Sequence, residues 1–162
     1  MKATNPDARR FTLEIIWLIF TALLIVLLLL PVHLYLPAFP YLLPNAVAIF
    51  SAITLTRYLF QLDISWLGNR QGAKIVLVFL LLPLVFYLVQ YINYFQLFFD
   101  ERGPDVLIAD LEPVWGKSLD DYLKTEFLFF SVWAVIAGAI LPVRLIMHIW
   151  KQRNRRQGRH TE

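Results

Sequence analysis

Three stretches of the chain contain no Asp, Glu, Lys or Arg: residues 15–56, 75–99 and 127–143, which are 42, 25 and 17 residues long. Hydrocarbon offers a backbone no hydrogen-bond partner, so runs of this kind must satisfy their own amides, as helices do. A transmembrane helix needs about 20 mainly apolar residues. The first run is long enough for two spans and the others for one each. Charged residues are 17% of the 162 and apolar residues 59%, whereas a soluble domain is about 25% charged. Four spans leave no segment for a separate soluble domain. The predicted fold class is an all-α integral membrane protein. Four transmembrane helices form a bundle in one domain over residues 1–150, followed by a basic tail at 151–162.

The predicted spans are 11–30, 45–62, 73–99 and 122–150. Pro31 is expected to end the first, because proline has no amide hydrogen to continue a helix. Residues 31–44 carry Pro31, Pro37, Pro40 and Pro44 and read as a stiff apolar connection, with Tyr35 and Tyr41 at headgroup level. Pro83 predicts a kink in span three. In the acidic loop 100–121, residues 104–111 read as a short helix with Leu107, Ile108 and Leu111 on one face. Ser118 and Asp121 fit a capping box, placing the start of helix four near Leu119 and its end near Trp150. Lys2, Arg9 and Arg10 before an apolar run give the N-terminus the outline of a signal peptide. That run extends to Leu30, beyond the usual ~7–15 residues, and no small-x-small cleavage site follows. It is read as a retained first span.

The charges between the runs sort by sign. Eight of the twelve carboxylates fall between Asp100 and Glu126, and five of the fifteen basic residues between Lys151 and Arg159. Lys and Arg mark the cytoplasmic side of a membrane protein. They are concentrated at the N-terminus, in the 63–74 link and in the tail. Both termini are therefore expected in the cytoplasm of a bacterial inner membrane, with the acidic loop outside. The net charge of +3 comes largely from the tail, and nearly all aromatics lie in the spans, so no nucleic acid partner is expected. No cysteine is present.

Ionised groups near a bilayer are the first functional candidates. Glu14, Arg57 and Arg144 lie at similar depth near the cytoplasmic ends of spans one, two and four. Each arginine can snorkel alone, or Glu14 can pair with Arg57 or Arg144. Arg57, Arg70, Lys74 and Arg144 could together gather the phosphate of an anionic lipid. Tyr87, Gln90, Tyr91 and Tyr94, with Asn93 beside them, form a polar stripe on span three. The stripe suits helix packing, a solute path or a partner contact. Ala48, Ala52 and Thr56 recur every fourth residue in span two, as do Ala134 and Gly138 in span four. Small residues of this kind let helices approach closely, within the bundle, in a homo-oligomer or against a membrane protein partner.

The catalytic and metal readings are weaker. The acidic loop offers Asp100, Glu101, Asp105, Asp110, Glu112, Asp120 and Asp121 but no EF-hand pattern. His33, His148 and His160 are scattered, without the spacing of a zinc protease, and no P-loop or nucleophile elbow is found. No metal or other cofactor is expected. Two four-span classes also fail residue by residue. Lipoprotein signal peptidases need an outward-facing aspartate pair, whereas Gly68-Asn69-Arg70 is only a fragment of their motif and lies on the cytoplasmic side. Small multidrug transporters need a glutamate at mid-membrane, whereas Glu14 lies three residues into its span. The favoured function is a non-enzymatic accessory, scaffold or sensor-like membrane subunit. The alternatives are a small-solute transporter or channel using the span-three stripe, and a lipid-acting enzyme using outer carboxylates.

Overall fold

The computed structural model describes residues 6–37, 39–102 and 113–158. Among these residues every regular element is an α-helix: α1 (Pro6–Tyr35), α2 (Leu42–Gln61), α3 (Trp66–Asn69), α4 (Gln71–Arg102) and α5 (Pro113–Gly158). Four of them, α1, α2, α4 and α5, are long and apolar enough to cross a membrane. The chain is a multi-pass membrane protein with all-helical spans.

Four helix ends differ from the sequence expectation. Pro31 does not stop α1, which runs on to Tyr35. Only the amide of residue 31 is lost from the ladder, and transmembrane helices tolerate that; bonding continues at Leu36 N–H to Val32 O, 2.8 Å. Pro44 belongs to the first turn of α2, where an amide has no intrahelical partner anyway. The connection therefore shrinks to the residues between Tyr35 and Leu42. Helix α5 begins at Pro113 rather than near Leu119, because proline is well suited to the first helical position. Ser118 and Asp121 consequently lie inside the helix and do not cap it. At its other end α5 passes Trp150 and takes in the basic tail as far as Gly158. The helix predicted at 104–111 lies outside the described residues.

Helix α5 is the central support. It packs along α2 on one side and α4 on the other, while α1 lies against α2 and touches α3. Three buried layers stack along this arrangement. At one end Val32, Leu36, Phe39, Phe95, Leu123 and Phe127 pack together. The middle layer is Ala48, Ala52, Leu88 and Ala134. At the other end lie Leu55, Leu62, Leu67, Leu81, Ala137, Leu141 and Leu145. Small side chains in the middle bring α2, α4 and α5 close. A Cβ added at Gly138 would sit 2.8 Å from Val85 Cγ2 and 3.6 Å from Leu55 Cδ1. The small-residue positions Ala48, Ala52, Ala134 and Gly138 are thus all used in packing within the chain.

Candidate functional site

The polar groups of the Leu145 end form two adjoining clusters, hinged on the link between α2 and α4. Ser65 caps α3, its hydroxyl accepting from Gly68 N–H at 3.2 Å. The tight turn brings Gly68 against the backbone of Leu62, where a Cβ would overlap the Leu62 carbonyl. This places the Gly68 carbonyl and the Trp66 amide where side chains from distant helices reach them.

In the first cluster Arg57 Nη1 donates to Glu14 Oε2 at 2.6 Å. Tyr58 OH donates to the same oxygen at 3.3 Å, and Trp66 N–H to Glu14 Oε1 at 3.0 Å. The guanidinium also lies over the rings of Trp17 and Tyr58, at 5.5 and 5.7 Å. Its side chain is only 8% exposed, and its Nε has no hydrogen-bond partner. Glu14 therefore joins α1 to α2 and to the start of α3. Of the two sequence candidates for its partner, Arg57 is the one that meets it.

In the second cluster Lys74 is fully buried. Its three ammonium donors have three partners: Gly68 O at 2.7 Å, His148 Nδ1 at 3.0 Å and Gln152 Oε1 at 3.1 Å. An ammonium only donates. His148 Nδ1 then accepts, and its proton lies on Nε2, which faces Asp63 Oδ1 at 2.8 Å. Asp63 is held below the usual carboxylate range, chiefly by this hydrogen bond, with Arg144 and Lys151 adding attraction. Gln152 Nε2 donates to Gly68 O at 3.2 Å as well. The four basic lipid-phosphate candidates are therefore not gathered at one point. Lys74 is saturated by protein groups, Arg57 is paired with Glu14, and Arg70 is exposed with its guanidinium 4.9 Å over Trp66. Arg144 acts on Asp63 instead of Glu14.

Two cavities flank Arg57. One, of about 410 Å³, lies among α1, α2 and α3 and takes in Glu14, Tyr58 and Trp66. The other, of about 380 Å³, lies among α1, α2 and α5, with Thr56, Arg57 and Gln61 among aromatic and aliphatic walls. The Thr56 hydroxyl is buried without a partner.

At the opposite end the span-three stripe is divided. Tyr87 and Tyr91 are half-buried with ring centroids 4.5 Å apart. Gln90, Asn93 and Tyr94 face outward on α4, and Gln90 Nε2 donates to Tyr94 OH at 2.9 Å. Of the described carboxylates of the acidic segment, Asp100, Glu101 and Asp121 are exposed. Asp120 pairs with Lys124 at 2.7 Å, four residues on. Among the described residues no group of three potential metal ligands occurs. Asp105, Asp110 and Glu112 lie outside the described residues.

One buried pair has no counterpart in the sequence expectations. Glu126 of α5 accepts from Asn45 Nδ2 of α2. Glu126 Oε1 and Asn45 Oδ1 are buried without partners. The signal was present: both residues border apolar runs and both fall toward the same predicted membrane face. Glu126 enters the sequence reading only as the last carboxylate of the 100–126 charge run, although it lies inside the predicted span 122–150. No known protein family, curated protein or solved structure matches the chain.

Proposed function

We propose that this protein is a non-enzymatic accessory or scaffold subunit of a bacterial inner membrane, with both termini in the cytoplasm. The orientation rests on Lys and Arg: three at the N-terminus, two in the 63–74 link and five in the tail, against Arg102, Lys117 and Lys124 on the far side. The role rests on one observation, the outward face of α4. Gln90, Asn93 and Tyr94 are exposed there beside large apolar groups such as Phe86, 74% exposed. Amide side chains facing hydrocarbon are unfavourable, and between helices they serve as hydrogen-bonding contacts. The stripe is read as the seat of another transmembrane helix, while Glu14 and Lys74 serve as internal joints.

The absence of native cysteine makes the test clean. A single Asn93→Cys chain, cross-linked in intact cells, is expected to form a defined adduct with another transmembrane chain. Val143→Cys, on an exposed apolar site of α5, is expected to form none. Equal labelling of both positions by lipid-phase reagents with no adduct at Asn93 removes the reading. A solute path along this stripe would need copies of the chain to meet at α4; solute flux in vesicles containing the pure protein would replace the scaffold reading with the transporter.

A further inference from the structure

The cavity among α1, α2 and α5 has features that no internal joint explains. Its walls are Trp17, Phe20, Leu24, Ile53, Phe60, Phe130 and Trp133, and its polar members are Thr56, Arg57 and Gln61. Two of those three carry buried atoms with no hydrogen-bond partner, Thr56 Oγ1 and Arg57 Nε. Buried polar atoms are normally satisfied, so each calls for an explanation. Both can donate. Neighbouring donors in an otherwise apolar chamber fit a ligand that brings acceptor oxygens.

Charge and depth narrow the ligand. Glu14 occupies the Nη1 corner of the Arg57 guanidinium and leaves the Nε side of the fork, whose planar donors suit phosphate oxygens. Arg57 is the one ionisable side chain in the lining of this groove, so the groove carries a positive group and no carboxylate. Along α2 the lining runs from Gln61 to Ile53, eight residues or about 12 Å at 1.5 Å per residue. That covers most of the ~15 Å depth of one leaflet in a ~30 Å hydrocarbon core. The polar members sit near the end of α2 that also carries the basic link, and the apolar walls extend toward mid-membrane.

We propose that this cavity binds one anionic phospholipid. The phosphate is held by Arg57 and Thr56, with the Gln61 amide beside it, and an acyl chain lies against Phe20, Leu24, Phe130 and Trp133. Basic pockets between transmembrane helices on the cytoplasmic side recognise anionic headgroups in this way. The site differs from a gathering of Arg57, Arg70, Lys74 and Arg144, since Lys74 has no donor to spare.

The full chain, purified in mild detergent and offered phosphatidylglycerol or phosphatidylethanolamine, tests this by native mass spectrometry. One phosphatidylglycerol is expected to be retained in preference to phosphatidylethanolamine. Thr56→Val keeps the volume, removes one donor and is expected to weaken retention roughly tenfold, the scale of one hydrogen bond to a charged group. Thr56→Ser is expected to restore it. Leu24→Trp, which fills the chain-binding part and leaves the polar members untouched, is expected to reduce retention with unchanged helicity. Equal retention of the two lipids, or a Thr56→Val chain that holds phosphatidylglycerol as well as the parent, overturns the assignment. Glycerol phosphate binding as tightly as the whole lipid also overturns it, in favour of a soluble phosphate ligand.

Discussion

The two ends of the helix assembly are held by different chemistry. At the Lys74 end the helices are joined by directed polar contacts, with Glu14 accepting from three donors and Lys74 donating to three acceptors. At the Phe127 end, beside the buried contact of Asn45 with Glu126, the joint is built mainly of rings. Phe95 stacks on Phe127 with centroids 4.1 Å apart, and Tyr41 meets Phe95, Phe98 and Phe127 edge-on at 5.5 to 6.3 Å. A polar joint is conditional: each group is stable in a buried place only while its partners remain. An aromatic joint is graded, because each ring adds its own contact and losing one strands nothing. The ends should therefore respond to mutation in different ways, one abruptly and one by degrees.

The sharpest contrast comes from Glu14→Ala. It leaves the Arg57 guanidinium buried opposite nothing, and in soluble proteins breaking such a pair costs about 3–5 kcal/mol. Helices separated within a bilayer or micelle find other polar partners, so about 2–3 kcal/mol is expected in a denaturant titration in mixed micelles. The double variant Glu14→Ala with Arg57→Met is expected to recover much of that loss, since it removes the stranded charge as well. A double variant as unstable as the two single losses added together would show independent contributions and break the comparison. Lys74→Met follows, at about 2 kcal/mol, because the Gly68 carbonyl, His148 and Gln152 each lose a donor. Its distinguishing readout is His148: freed from Lys74 at Nδ1, its imidazole signals in NMR should move while those of aromatic residues at the far end stay.

How much of this was legible depended on the type of residue. The four spans were readable because a bilayer imposes one rule along the whole length of a helix, and charge-free runs record it directly. The Ala48, Ala52, Ala134 and Gly138 positions were readable for a related reason, as close packing admits only small side chains. The helix ends were not. Pro31 and Pro113 obey the same proline chemistry yet one lies inside a helix and the other begins one, and neighbouring packing decides which. Lys74 looked like a headgroup-facing cation. Its burial follows from the turn at Ser65 and Gly68, which turns a carbonyl toward it, and no residue count reveals where that carbonyl points. Glu126 and Asn45 are 81 residues apart in sequence and meet only because α5 packs along α2.

The graded behaviour of the other end is tested by Phe127→Leu. It keeps an apolar group of similar reach and removes the stack on Phe95, so about 1 kcal/mol is expected from the lost ring pair. Adding Phe95→Leu is expected to cost a further step of similar size, because Phe95 also meets Tyr41 and Phe99. A loss as large as that of Glu14→Ala would place the ring cluster among the conditional joints and cancel the distinction drawn between the ends.

The smallest effect is one of pH in the acid range, and at the Lys74 end it is carried by Asp63. Asp63 is held below its ordinary carboxylate range by His148, so folding favours its ionised form. A group with a depressed folded pKa contributes stability that is present above the unfolded pKa and lost as pH falls through the folded one. Stability should therefore decline as pH is lowered past the ordinary aspartate range, and Asp63→Asn should remove that part of the slope. The side chain is 77% exposed, so solvent screens the contact and the change is small beside that of Glu14→Ala. The Tyr41, Phe95 and Phe127 cluster has no group that titrates there. Ring contacts followed by NMR should stay constant over the same range while His148 and Asp63 signals shift together. Simultaneous loss of both sets would mean that the ends unfold as one unit, and that the difference in chemistry between them carries no difference in local stability.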